Sequence, residues 1–404
     1  MSNDATISLR TFFTLDQLKK DFSWQSVMAG LVAVIVGYAG PTVLVFQVAE
    51  SAHLANAQIV SWLWAYSIAA GLTTIVASLW YRMPLITAWS TPGIAFLMTA
   101  MVGVPLPEAI GAFIVSNVLV TLIGAFGLLQ RLVRWIPLPV ASALNGGILV
   151  AFALGVVSSL QRQPLLVAGM VLAFFVVRRF SPRWAVAAVL VVGTVLCLML
   201  GQLDLAALSV SVASPVWTWP AFTWHATVNI AIPLTVLVLT GQYLPGFAVL
   251  KTAGYEPPVD KVVTLCGTGS ILVAPFGCHN INPSSMIAAI VAGPEAHPDK
   301  TRRYVAAVCA GVIYIVFGTF ASTFVSLFVS LSREAVAALA GLALLSAIAS
   351  SFESAFAGNN GSLAPLVVFV IAASGITVLG VGAAFWAIVA GVLVFHVLER
   401  KTPA

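Results

Sequence analysis

"PFGCHNINPSSMIAAIVAG", residues 275–293, has the length and apolar character of a membrane segment, yet its first half is wrong for a spanning helix. Gly277, Cys278, His279, Asn280, Asn282 and Pro283 fall within one short run. Backbone groups cannot stay unpaired in hydrocarbon, so irregular chain at membrane depth is tolerated only where protein packs around it or where it lines a cavity. The stretch therefore marks an interior site.

Composition supplies the membrane. The 404 residues are 60% hydrophobic and 8% charged, with mean hydropathy +1.05, whereas soluble domains carry about 25% charged residues. No polar stretch is long enough for a soluble domain. The net charge of +5 does not form one basic patch, which argues against nucleic acid as a partner. The four cysteines (Cys197, Cys266, Cys278, Cys309) lie in apolar segments at unrelated spacings, with neither a disulfide framework nor a metal-ligand pattern. No nucleophile–base pair or cofactor motif is visible, so no cofactor is expected and an enzyme is not. Residues 1–25 lack the basic start, apolar core and cleavage site of a signal peptide; they are expected to form a cytoplasmic lead-in.

Apolar stretches suited to a hydrocarbon core of about 20 helical residues fall at 26–50, 57–80, 107–129, 137–160, 164–180, 184–203, 224–250, 259–274, 302–330, 334–352, 363–377 and 379–398. Two further stretches, 83–102 and 275–293, are each broken near their start by polar residues and proline. Counting both as crossings, with the N- and C-termini in the cytoplasm, leaves only Arg162 and Arg333 of the 18 basic residues outside, a strong positive-inside bias. Dropping both moves the basic residues between about 130 and 261 to the wrong side. Fourteen crossings are expected.

The chain also repeats itself. "VGYAGPTVLVFQVA" (36–49) aligns without gaps to "TGQYLPGFAVLKTA" (240–253), "AWSTPGIAFLMTA" (88–100) to "NINPSSMIAAIVA" (280–292), and "ALNGG" (143–147) to "ALAGL" (338–342). Seven crossings per half is an odd number, so the second half enters from the opposite side, the inverted repeat of secondary transporters. The expected fold is an all-α polytopic membrane protein of fourteen segments in a 7+7 inverted repeat, with segments 3 and 10 each broken into a short strand plus a half-helix. A core is expected from 26–130 and 224–330, and a gate from 131–205 and 334–399.

Short, Gly/Pro-interrupted segments at matching repeat positions point to a binding site. Ser90 or Thr91 is expected to cap the first half-helix, with Pro92 in its first turn, and Asn282 to cap the second, with Pro283 at its first helical position. The inverted repeat aims both N-termini at one spot near the midplane, which suits an anion.

These residues resemble the uracil-permease and sulfate-transporter fold. More closely, "GCHNINPSSMIAAIVAG", "FESAFAGNNG" and "YAGPTVLVFQVA" resemble the benzoate/proton symporter (BenE) family over essentially the whole chain. The resemblance implies proton-coupled import of benzoate or a related aromatic carboxylate across the bacterial inner membrane, and leaves a homodimer through the gate open. Nucleobase permeases of this fold use acidic residues in crossings 8 and 10. Here those crossings carry Gln242 and His279, Asn280 and Asn282, neutral groups that would not repel a carboxylate.

The candidate substrate contacts are Tyr38, Trp89, Ser90, Thr91, Gln242, Phe276, His279, Asn280, Asn282, Ser284 and Ser285. His279 is the candidate proton carrier because histidine titrates near physiological pH; the bland alternative is a neutral ring holding the broken segment. Glu353 is the second candidate, against a solvated loop acid. Asn145 and Asn117 read as interhelix hydrogen bonds. The rival readings are transport of another small anion or a nucleobase, and an anion channel of the same fold.

Overall fold

The computed structural model describes residues 15–39, 41–131, 136–204, 206, 208–357, 362–378 and 380–399. Most of the N-terminal lead-in, Gly40, Arg134, residues 358–361 of "FESAFAGNNG" and the terminal Arg400 and Lys401 lie outside them.

A short helix α1 (Leu15–Asp21) precedes α2 (Trp24–Ala39), α3 (Pro41–Ser51) and α4 (Asn56–Tyr81). Strand β1 (Thr87–Trp89) leads into α5 (Thr91–Ala100), followed by α6 (Leu106–Ala125), α7 (Leu138–Arg162), α8 (Pro164–Phe180) and α9 (Ala185–Met199). The second half runs through α10 (Trp224–Thr252), α11 (Val259–Val273), strand β2 (Ile281–Pro283), α12 (Ser285–Ala292), α13 (Tyr304–Thr319), α14 (Ala321–Val329), α15 (Arg333–Phe356) and α16 (Ala364–Ser374). A small hairpin, β3 (Thr377–Val378) with β4 (Val381–Gly382), precedes α17 (Ala383–Val394).

Proline punctuates these helices where its missing N–H costs nothing: Pro92, Pro107, Pro139, Pro164 and Pro365 all lie in first turns. Nine helical stretches among the described residues are long and apolar enough to cross a membrane. Their outer faces are apolar too. Leu72, Val76, Leu172, Phe175, Val191 and Leu393 stand exposed on them, a surface that lipid solvates and water does not.

One local expectation changes. The last two spans are shorter as helices, because Gly375, at φ +63°, ends α16 in the left-handed conformation and the hairpin, exposed along β3 and half-buried along β4, follows. The small sheets are the only departures from helix among the described elements, and one of them joins the two halves of the chain.

Helix α4 packs on α13, and α6 on α11; α2 packs on α13 and α12, and α3 on α5. The C-terminal part of α10 packs on α12. In a second group, α7 lies along α15, with α8 against α9 and α16 against α17 around them.

Between α9 and α10 the chain runs extended along α14. Ser209 N–H donates to Ser326 Oγ (3.2 Å), Ser211 N–H to Thr323 Oγ1 (3.1 Å) and Ala213 N–H to Thr319 O (2.8 Å). Two residues of extended chain advance about as far as three to four residues of helix, so the period-two "SVSVA" keeps step with Thr319, Thr323 and Ser326. Further on, Val216 N–H donates to Ser61 Oγ (3.0 Å), Thr218 N–H to Pro275 O (2.9 Å) and Ala221 N–H to Pro107 O (2.8 Å).

Candidate functional site

Strands β1 and β2 pair antiparallel, Thr87 opposite Pro283, Ala88 opposite Asn282 and Trp89 opposite Ile281. All six residues are buried. Their remaining backbone groups find partners in the surrounding helices, as non-helical chain at membrane depth requires. Thr87 N–H donates to Thr74 Oγ1 (2.9 Å), Ile281 N–H to Ser270 Oγ (2.8 Å), and Tyr243 OH to Ile281 O (2.9 Å).

Each strand runs into a helix, and the two caps differ. Ser90 caps α5 as expected, its Oγ accepting from Gly93 N–H at 3.1 Å. Asn282 does not cap α12. It stays in the strand, opposite Ala88, and the cap position falls to Ser284, whose side chain makes no capping bond. The strand pairing holds Asn282 and Pro283 extended and delays the helix to Ser285.

The N-terminal ends of α5 and α12 line one cavity of about 630 Å³. Thr91 and Pro92 contribute from α5, Ser284 and Ser285 from the start of α12, and Ala88 and Trp89 from β1. Thr240, Gly241 and Gln242 come from α10, where residues Leu239–Tyr243 form a π turn. A second π turn, Thr227–Ala231, lies earlier in the same helix. Each ends two residues before a proline, Pro233 or Pro245. A proline inside a helix gives no hydrogen bond to the carbonyl four residues back and crowds it, and widened turns of this kind recur at functional sites. Across the cavity, α7 contributes Ser142 and Asn145, and α15 contributes Ser346, Ser350, Ser351 and Ser354. No Asp, Glu, Lys, Arg or His lines it among the described residues.

Of the candidate residues, Trp89, Thr91, Gln242, Ser284 and Ser285 meet in this cavity. Tyr38 stands behind it; Gly37, one residue earlier, reaches the cavity. The Tyr38 hydroxyl bonds Ser67, and its ring meets Trp89 edge-on at 5.2 Å. Ser90, His279, Asn280 and Asn282 are fully buried and do not line the cavity, Asn282 lying within β2 itself. Phe276 packs elsewhere, between Trp64 (5.1 Å) and Trp217 (5.3 Å). Glu353 is exposed on α15 between the lining serines 351 and 354. The serine face is not among the candidates the sequence offers; its signal is the spacing of 346, 350 and 354, which keeps them on one helical stripe.

His279 has two partners. Nε2 lies 3.1 Å from Ser90 O, and Nδ1 lies 2.7 Å from Tyr66 OH. A carbonyl oxygen only accepts, so Nε2 carries the proton and Nδ1 accepts from the tyrosine. The asparagines form a chain: Asn282 Nδ2 donates to Asn280 Oδ1 (3.1 Å), Asn280 Nδ2 to Asn117 Oδ1 (2.7 Å), and Asn117 Nδ2 to His279 O (2.8 Å). This network fixes the irregular run 279–282 against α6.

The family model for "Benzoate membrane transport protein" (BenE) matches residues 20–397. The chain belongs to the benzoate membrane transport protein family. A benzoate membrane transport protein of Acinetobacter baylyi is 38% identical over 386 residues, 96% of this chain and 98% of that protein. The inner membrane protein YdcO of Escherichia coli is 38% identical over 374 residues, 93% of this chain and 96% of that protein. Among solved structures, the transmembrane domain of the cyanobacterial bicarbonate transporter BicA superposes with TM-score 0.56 at 13% identity, covering 92% of this chain and 98% of that one. SLC26A9 superposes with TM-score 0.60 at 11% identity, covering 93% of this chain and 66% of that one. Those likenesses show the fold, a mostly helical membrane protein; the family match and the relatives make the chain a membrane transporter rather than an enzyme.

Proposed function

We propose that this BenE-family chain is a secondary transporter that imports benzoate or a related aromatic carboxylate by proton symport. The observation that carries the reading is the antiparallel pairing of β1 with β2, which puts the N-terminal ends of α5 and α12 on one cavity that has no charged side chain in its walls among the described residues. Each helix end favours a nearby anion by about 0.3–1 kcal/mol in exposed settings and up to about 2 kcal/mol in partly buried ones. Thr91, Gln242, Ser284 and Ser285 supply neutral polar partners for the carboxylate. Leu149, Pro245, Met286 and Ile287 give the ring an apolar bed.

The chain makes fourteen crossings in a 7+7 inverted repeat, with both termini cytoplasmic. Mirrored packing supports this: the α4–α13 contact has its counterpart in α11–α6, α3–α5 in α10–α12, and α8–α9 in α16–α17. Residues 26–130 and 224–330 form the core, and 131–205 and 334–399 form a gate that moves against it in alternating access. In that orientation the cavity runs from the strand pair toward the cytoplasmic ends of α7 and α15, an inward-facing arrangement.

The proton is carried on His279. Its Nε2 bonds the residue that caps α5, so a carboxylate at that helix end and a positive imidazole attract each other. Each then favours binding of the other, and the coupling is reciprocal. Protonation places a hydrogen on Nδ1, and the Tyr66 hydroxyl turns from donor to acceptor to receive it. Glu353, beside the lining serines, is the second candidate.

Uptake of labelled benzoate into proteoliposomes, with and without an inward proton gradient, tests this reading. Accumulation above the outside concentration under the gradient is the expected result. Equilibration without accumulation would replace the symporter by a channel, and no uptake would overturn the substrate.

A further inference from the structure

The two walls of the cavity each hold a polar atom that the protein leaves unpaired. On the core side the Trp89 indole is 2% exposed, and its Nε1 has no hydrogen-bond partner among the described residues. Its ring already stacks on Tyr66 at 5.5 Å and meets Tyr38 edge-on. A substrate ring therefore does not need Trp89 as a stacking platform, and what the side chain has to offer is its N–H. On the gate side Asn145 Nδ2 donates to Ser351 Oγ at 2.8 Å, while Asn145 Oδ1 is buried and unpaired among the described residues. A serine hydroxyl both donates and accepts, so the amide fits either way round; in both orientations one of its ends stays unpaired.

Buried polar groups are normally bonded, and one left without a partner is costly. Here there are two, on opposite walls, and α7 packs directly against α5 and the π turn of α10 so that both walls enclose the same cavity. An indole N–H only donates and matches a carboxylate. An amide end beside a row of serines matches a group that both donates and accepts. Unsubstituted benzoate has a polar group at one end only and would leave the second wall unpaired.

Resting on the aromatic-carboxylate reading above, we propose that the preferred cargo carries a ring hydroxyl: a hydroxybenzoate whose carboxylate meets Trp89 and the half-helix ends, and whose hydroxyl pairs with Asn145. A site built to bond a hydroxyl discriminates against the analogue that lacks it.

The test is inhibition of labelled benzoate uptake in proteoliposomes by unlabelled benzoate and by 2-, 3- and 4-hydroxybenzoate, in wild type, Asn145→Ala and Trp89→Phe. In wild type at least one isomer inhibits at a concentration roughly tenfold or more below that of benzoate. Asn145→Ala brings that ratio close to one, and Trp89→Phe, which keeps an aromatic ring but removes the N–H, weakens all four acids together and leaves the ratio. If Asn145→Ala does not assemble, Asn145→Ser is read by the same ratio. Benzoate inhibiting as well as every isomer overturns the proposal while the benzoate-carrier reading stands. A hydroxyl preference that survives at Asn145→Ala removes Asn145 from the role. If benzoate is not taken up at all, the carrier reading fails separately, and absence of thermal stabilisation of the purified protein by the three isomers then overturns this inference as well.

Discussion

His279 Nε2 lies 3.1 Å from the backbone oxygen of Ser90, the residue whose hydroxyl caps α5. One imidazole thus touches the start of the half-helix that lines the cavity without itself reaching the cavity wall. A Cβ added at Gly93 would stand 2.7 Å from the same Nε2, so the helix start and the ring are in direct contact.

Replacing His279 by glutamine keeps a donor for Ser90 O but removes the titration. Accumulation driven by a proton gradient should fall at least about tenfold if the ring carries the proton, while exchange of internal for external benzoate continues. Paired measurement of gradient-driven uptake and exchange decides this. Undiminished accumulation would move the coupling to Glu353.

Gly277 adopts φ +104° at the turn into the broken segment, and a Cβ there would overlap the Trp62 indole. Gly277→Ala combines left-handed strain with a steric clash against a fully buried ring, a loss of at least about 2 kcal/mol. The expected outcome is a lower melting temperature in detergent and a lower yield of monodisperse protein. A variant as stable as wild type would show that the turn can be rebuilt.

Asn117 holds the polar run from α6, donating to His279 O and to Phe113 O (both 2.8 Å) and accepting from Asn280. Asn117→Leu strands buried partners on both sides and should cost about 2–4 kcal/mol. The change is read as reduced thermal stability together with reduced benzoate uptake, since β2 loses its support. Unaltered melting would mean that Asn280 and His279 find new partners.

Asp299, in the loop before α13, accepts from the Thr301 hydroxyl and N–H, and these bonds, with a smaller contribution from nearby Arg302, hold its carboxyl below the ordinary carboxylate range. A depressed pKa in the folded state means that its contribution is present above the ordinary value of about 4 and is lost only as pH falls through the lower folded value. Asp299 therefore stays charged throughout pH 5–8. The pH profile of uptake in that range should keep its shape in Asp299→Asn, and a shifted midpoint would bring the loop into the coupling.

Much of the membrane architecture is legible in residues 83–102 and 275–293, because proline, glycine and polar side chains inside apolar runs have few physical explanations. Ser90 as cap and Pro92 in the first turn follow from local chemistry alone. The helix start at Ser285 does not: Asn282 and Pro283 are good starting residues, and only their pairing with β1, nearly two hundred positions away, keeps them extended. Gly37 rather than Tyr38 faces the cavity because hydrophobic patterning in a helix buried all round does not fix its rotation. The serine face of α15 is not legible in the sequence, because single serines in apolar helices commonly bond their own backbone, as Ser350 does to Ala347 O at 3.1 Å. Its meaning comes from the opposite wall.

The extended chain that keeps step with α14 bears on how the two halves of the molecule can shift. From Asp204, whose N–H donates to Ser330 O at 3.1 Å, to Ala221 it is tied to α14, α4 and α6. The N–H groups of Leu200, Gly201 and Gln202 in turn donate back to α9, to Leu196 O, Leu198 O and Cys197 O. Under the alternating access proposed above, so short a tether would hold this end of α9 nearly still while displacement grew toward the other, as a door opens widest away from its hinge.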